Sequence, residues 1–141
     1  MLITKDKLDT TIKSMFLSVQ LERIGYPDLS DLDIQVALKN ANDEMNKLQW
    51  IGAKVSDTQS DSWPRVINDE VVDTPEQVIL AMAQYAYDFI RIMSNENHEA
   101  IEMGLTSQSI GPIRETYDIE KADISNKAYI KYLNGLIYRG V

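Results

Sequence analysis

Apolar residues recur along the chain at helical spacing in three places and lose that period in between. From about Lys5 to Arg23, Leu8, Ile12, Met15, Phe16 and Val19 repeat at intervals of four and three, which predicts a helix stopped by Gly25, Tyr26 and Pro27. A second helix is predicted after Ser30. That serine is a suitable N-cap, Asp31 and Asp33 occupy the first turn where the helix dipole favours negative charge, and Ile34, Leu38, Ala41, Met45 and Leu48 make one stripe. The stretch KNANDEMNK supplies the polar side, so this helix is expected on the surface with one face inward.

Between Trp50 and Thr74 the period vanishes and Gly, Ser, Asp, Asn and Pro accumulate, which predicts a long connecting loop. Thr74 as N-cap, Pro75 at the first helical position and Gln77 completing a capping box then announce a third helix to about Ser94. Val78, Ile79, Leu80, Ala81, Met82, Tyr85, Ala86, Phe89, Ile92 and Met93 cover more than one of its faces, which marks it as the central helix. A short separate turn from Glu96 to Met103 is expected to end at Gly104. In GLTSQSIGPIRETYD, alternation around Ile113, Glu115 and Tyr117 and the Gly111-Pro112 break suggest two extended pieces or a β-hairpin. A last helix is expected from Ser125, carrying Tyr129, Ile130, Tyr132, Leu133, Leu136 and Ile137, and ending at Gly140. The pattern therefore predicts a mainly α fold: a small bundle of about four helices, a long Trp-containing loop, and a short β-hairpin before the C-terminal helix.

Length and composition change this picture little. The 141 residues suit a single domain, 1–141, with 44% hydrophobic and 26% charged residues, as in ordinary globular proteins. No run approaches the roughly 20 apolar residues that cross a bilayer. The first residues, MLITKDK, turn charged too early for a secretion signal, so synthesis inside the cell and no membrane partner are expected. Cysteine is absent, which excludes disulfides, thiolate nucleophiles and Cys-based zinc sites.

Charge carries more information. The net charge is −8, a sign that repels the phosphate backbone and disfavours tight DNA wrapping. From Gln49 to Gln77 six acids face only Lys54 and Arg65, whereas beyond Asp123 the chain carries Lys127, Lys131 and Arg139 and no acidic side chain. Two readings fit: ordinary solvated faces, or head-to-tail complementarity between copies.

Catalytic chemistry finds little support. The single histidine, His98, has no nucleophile arranged beside it and reads as a surface residue. The pairs Asp31/Asp33 and Asp69/Glu70 lack the spacing of a calcium loop and read as solvated acids. No glycine-rich phosphate cradle exists, and Met45, Met82, Met93 and Met103 read as core filler. Neither an enzyme nor a cofactor is expected. Tyr129, Tyr132 and Tyr138 crowd onto the basic C-terminal element; such aromatics stack on single-stranded bases or anchor a protein interface, and the acidic chain favours the interface.

The two tryptophans, Trp50 and Trp63, bracket the long loop. A side chain that buries ~150–250 Å² implies that a loop carrying two of them is docked onto something. The order W-x-G at Trp50 and Gly52, Q-x-x-x-W-P-R at Gln59, Trp63, Pro64 and Arg65, a helix led by Pro75, and G-x-x-S-x-x-x-G at Gly104, Ser107 and Gly111 resembles the head-tail connector proteins of tailed phages. The resemblance runs from about Leu38 to the C-terminus, and some members of that group are labelled primosome-like single-strand-binding proteins.

What it implies is a structural virion protein at the phage neck, made in the host cytoplasm. It would be an adaptor subunit forming a ring, commonly of twelve copies, below the portal and extending the DNA channel. The implied partners are further copies of itself, the portal protein, a neck or tail-completion protein, and double-stranded DNA passing without tight binding. Trp50, Trp63 and Arg65 would anchor the loop on the helical core. Tyr129, Tyr132, Leu136, Tyr138 and Arg139, with Thr106, Ser107 and Ile110, make the candidate assembly interface. Single-stranded-DNA binding in replication is the alternative function.

Overall fold

The computed structural model describes residues 1–102 and 128–138, without the side chains of 95–102. It is mainly helical, with one small sheet. Helix α1 (Lys5–Met15) starts where Thr4 Oγ1 accepts the N–H of Lys7 at 3.1 Å, and it buries Leu8, Thr11 and Ile12. The single helix expected to Arg23 is in fact two. Phe16 leaves the helix with extended backbone (φ −120°, ψ 146°), and its ring stacks on Tyr87 at 3.9 Å between centroids. That tertiary contact outweighs the local periodicity. Gln20 Oε1 then accepts the Leu17 N–H at 2.8 Å and restarts the chain as α2 (Ser18–Arg23). Gly25, at φ +72°, turns it into a 3-10 segment at Tyr26–Asp28. Tyr26 is buried and donates to Asp9 at 2.6 Å, tying this corner back to α1.

Helix α3 (Asp31–Lys47) begins as expected, with Ser30 Oγ accepting the Asp33 N–H at 3.1 Å, and it buries Ala37, Leu38, Ala41 and Met45. Its polar side is not wholly solvated, since Asn42 is only 7% exposed. Helix α4 (Glu76–Glu102) starts one residue later than predicted, with the Pro75 carbonyl accepting the N–H of Val78 and Ile79. It also runs on to Glu102, absorbing the expected separate turn from Glu96, because no proline or glycine interrupts the chain before Gly104. Val78, Met82, Tyr85, Phe89 and Ile90 are buried on several of its faces, and α1, α3 and the C-terminal segment all pack against it.

The long loop is not structureless. It holds an antiparallel meander of β1 (Ala53–Lys54), β2 (Arg65–Ile67) and β3 (Glu70–Val72), with Ala53 opposite Val66 and Val66 opposite Val71. The signal was present in RVINDEVV: two β-branched runs separated by Asn68-Asp69, whose φ values of 52° and 67° match a type I′ hairpin turn.

The last helix is corrected too. Its described part is a 3-10 helix, Ala128–Leu133, and Gly135 (φ +86°) then reverses the chain. Leu136 to Tyr138 run extended along Gln49 to Ile51. Ile51 N–H donates to the Leu136 carbonyl and Tyr138 N–H to the Gln49 carbonyl, both at 2.9 Å, around a Trp50–Ile137 bridge. Asn134-Gly135 is the break that periodicity alone passed over. The hairpin expected over 104–118 lies outside the described residues, as does the start at Ser125.

One buried charge in this packing is testable. The Asp88 carboxylate on α4, 15% exposed, accepts from Gln84 Nε2 at 3.1 and 3.2 Å. Burial pushes it above the usual carboxylate range, only partly offset by Gln84, Arg91 and Lys131. A carboxyl raised in the folded state costs stability wherever it is ionised, and the cost disappears as pH falls through its folded value. Asp88→Asn should therefore raise the Tm at neutral pH by a few degrees, on the order of the shift that ~1 kcal/mol produces. The gain should fade toward pH ~4, near the unfolded carboxylate value. Thermal melts of both proteins across that range check this.

Candidate functional site: a sheet docked through Trp50, Trp63 and Arg65

The two tryptophans meet. Trp50 and Trp63 are 4% and 3% exposed, and their rings cross edge to face, 5.4 Å between centroids at 75°. This geometry suits the positive edge of one ring and the negative face of the other. Trp50 Nε1 donates to the Met45 carbonyl at 2.8 Å, fixing the ring to the end of α3. Trp63 Nε1 is buried and has no hydrogen-bond partner among the described residues. The Trp63–Pro64 peptide is cis.

Arg65, 9% exposed, lies beside this pair. Its guanidinium donates to four backbone carbonyls: Nε to Ile51 at 2.8 Å, Nη1 to Ser62 at 3.0 Å, and Nη2 to Gly52 at 3.0 Å and Trp50 at 3.5 Å. Among the described residues no carboxylate pairs with it, and carbonyl dipoles replace its lost water. Burial accordingly lowers its affinity for a proton, with Tyr138 acting weakly the other way. Gly52 sits at φ +73°, where a Cβ would overlap the Val66 carbonyl and meet Ile67 Cγ1 at 2.8 Å; only glycine lets β1 approach β2 so closely. Gln59 closes the loop, its Nε2 donating to the carbonyls of Asp61 and Pro64 at 2.9 Å and its Oε1 accepting from Ser56 N–H at 3.0 Å.

Sequence reasoning passed over a polar knot behind the tryptophans. Asp61 accepts from Asn42 at 3.1 Å, from Asn46 at 3.0 Å and from the Met1 ammonium at 2.9 Å. Asn42 Oδ1 accepts the Leu2 N–H and Asn46 Oδ1 accepts the Ser62 N–H, both at 2.8 Å. The first residues, α3 and the loop thus join at one carboxylate. Burial pushes the Asp61 carboxyl up, but the ammonium, Asn46 and Asn42 together outweigh it and hold it below the usual range. The available signal was two asparagines four residues apart on the helix that precedes the loop.

The candidate assembly residues divide. Tyr129 is wholly buried, crosses Tyr85 edge to face at 5.4 Å and donates to Glu44, so it is a core residue and presents nothing to a partner. Tyr132 is half-buried against α4 with its hydroxyl toward Gln84, and Leu136 packs partly on the core. Tyr138 is 55% exposed. Thr106, Ser107, Ile110 and Arg139 lie outside the described residues.

Two open clefts flank the helices: about 640 Å³ between the first residues and α3, lined by Met1, Ile3, Leu32 and Val36, and about 560 Å³ between α1, α2 and α3, lined by Asp9, Lys13, Tyr26 and Ile34. Neither adjoins the tryptophans. Among the described residues no three His, Cys, Asp or Glu side chains converge as metal ligands, and no helix is long and apolar enough to cross a membrane.

Over residues 12–140 the chain matches the family described as "Putative DnaT-like ssDNA binding protein". The chain belongs to this DnaT-like family. The match meets the primosome-like label carried by some connector-like proteins and does not itself speak of a connector. No curated protein and no solved structure matches the chain. The DnaT-like match takes in α3, the whole sheet, α4 and the C-terminal segment, and leaves out most of α1.

Two substitutions test the docking. Trp63→Phe loses area but no hydrogen bond, whereas Trp50→Phe also strips the Met45 carbonyl of a donor. Trp50→Phe should therefore cost about 1 kcal/mol more in urea unfolding, and Trp63→Ala on the order of 3–5 kcal/mol. Equal costs for the two Phe variants would mean that the Trp63 N–H has a partner of similar strength. Asp61→Asn should lose ~1–3 kcal/mol at neutral pH. A carboxyl depressed by folding stabilises above its unfolded value and loses that effect as pH falls through the folded one, so wild type and variant should converge below pH ~4 in acid titration.

Proposed function

We propose that this member of the DnaT-like family is a structural head-tail connector subunit of a tailed phage, placed around passing DNA and not gripping it. The observation that carries the reading is where the chain directs its basic groups. Arg65 is buried on carbonyls and Lys5, Lys13 and Lys39 each lie within 3.0 Å of a carboxylate, while Lys7, Arg23, Lys54 and Lys131, which form no ion pair among the described residues, are scattered over four separate elements. The described surface thus offers no run of free cations along which a phosphate backbone could be neutralised. The ordered motif from Trp50 through Arg65 supports the same reading by resemblance: its residues are occupied in holding the sheet and are not presented to a ligand. An acidic wall suits a channel, because DNA repelled by it slides through, whereas a basic wall retains it through counterion release.

Single-stranded-DNA binding is the second reading, and the family's description favours it more directly than it favours a connector. Such a protein needs aromatic faces open to bases along a basic groove. Both tryptophans are buried, and among the described aromatic side chains only Tyr138 is more than half exposed.

Anisotropy titrations with a labelled oligonucleotide of about 30 nucleotides, at two salt concentrations, separate the readings. The connector reading expects a Kd weaker than ~10 μM at physiological salt. A Kd below ~1 μM with a steep salt dependence and aromatic quenching would sink it and establish the alternative.

A further inference from the structure

The outward face of the sheet is apolar. Strand alternation sends Lys54, Arg65, Ile67, Glu70 and Val72 to one side, where Ile67 and Val72 pack on the core and Glu70 stays exposed at the hairpin end. The register lines up Ala53, Val66 and Val71 across all three strands on the other side, and Val55 continues the row beyond Ala53. Val71 is 65% and Val55 45% exposed. An antiparallel sheet with one wet face ordinarily shows polar side chains there, so this row of valines runs against the usual pattern.

The charge around it is equally one-sided. On α1 and α3 several acids are paired within the chain, Asp31 with Lys5 at 2.9 Å, Asp9 with Lys13 at 3.0 Å and Asp43 with Lys39 at 2.8 Å, whereas Asp6 and Asp33 have no ion pair among the described residues. In and beside the sheet, Asp57, Asp69, Glu70 and Asp73 are exposed and take part in no ion pair among the described residues. The bases of that region are Lys54 and the buried Arg65. A molecule that covers the valines must bring apolar groups and positive charge together, which excludes nucleic acid on the second count. This chain carries such a surface elsewhere. Its sequence beyond Asp123 has no acidic side chain, and Lys131 on the C-terminal 3-10 helix is exposed, attracted to Asp88 and in no ion pair among the described residues. That helix packs chiefly on α4, which leaves Lys131 available to a second copy.

We propose that the outward face of the β1–β3 sheet is the docking surface for a second copy of this chain, which approaches with the basic C-terminal element bearing Lys131. The contact is heterologous: each copy uses one surface of each kind and leaves one of each free for the next, the arrangement that closes into a ring when the rotation allows. The inference rests on the connector reading and deepens it by naming where neighbouring subunits meet.

Sedimentation equilibrium of the full chain, from micromolar to millimolar concentration at low and at high salt, tests it. Wild type should self-associate, more strongly at low salt. Val71→Glu, Lys131→Glu and the double variant Glu70→Lys/Asp73→Lys should each weaken association by about tenfold or more, with melting temperatures unchanged for Val71→Glu and the double variant, whose side chains are exposed, and lowered for Lys131→Glu, which removes a charge that favours ionised Asp88. The decisive arm is the mixture. Lys131→Glu and Glu70→Lys/Asp73→Lys, each monomeric alone, should associate when combined, since each then meets an opposite charge. A monomeric wild type at millimolar concentration and low salt, association indifferent to Val71→Glu, or a mixture that stays monomeric overturns the docking surface. Any of these leaves the connector reading to be decided by the oligonucleotide titration, and tight oligonucleotide binding would sink that reading without touching this contact.

Discussion

A buried guanidinium with no counterion organises the part of the molecule that would otherwise be a loop. Arg65 reaches Trp50, Ile51, Gly52 and Ser62 through their carbonyls, so one planar fork ties the end of the first connection to the start of β2. A lysine could not do this, because its single ammonium lacks the fixed spread of donors. The arrangement also dictates its neighbours. Gly52 must be glycine for its carbonyl and the close approach of β2 to coexist, and Ser62 is held by Asn46 so that its carbonyl faces the guanidinium.

Around that centre, the elements lock each other from three directions. The tryptophan pair fixes the sheet to the end of α3 through the Met45 carbonyl, the Asp61 knot draws in Asn42, Asn46 and the first residues, and the strap at Leu136 to Tyr138 pairs along Trp50 from the far side. The Asp61 and Leu136–Tyr138 locks join segments distant in sequence, whereas the Trp50–Met45 bond spans five residues. The sheet is thereby a rigid appendage on a helical body, although each of its strands has only two or three residues and would not persist alone.

Electrostatics separate the same two parts. The helical body pairs some of its acids with lysines one helical turn away and so presents a surface of mixed charge. The sheet presents apolar side chains in an uncompensated negative field. Nothing in that division suits a groove for phosphates. It is compatible with protein contacts, and the docking surface proposed above lies on the element that Arg65 holds in position.

The sequence by itself determined what depends on neighbours a few residues away. The Ser30 cap and the stripe of α3, the central position of α4, and the mainly α class follow from spacing and capping, and all are present in the structure. The RVINDEVV hairpin and the Asn134-Gly135 break were equally legible, as turn chemistry. Only the tertiary structure decided what depends on contacts across the chain. Phe16 quits its helix because Tyr87 offers a stacking face, Tyr129 goes to the core because Glu44 and Tyr85 receive it, and Asn42 is buried because Asp61 lies above it. The roles of Trp50, Trp63 and Arg65 were foreseeable as anchoring. Their partners are main-chain carbonyls and a ring face, groups that every sequence supplies in abundance, so no residue pattern names which of them is used.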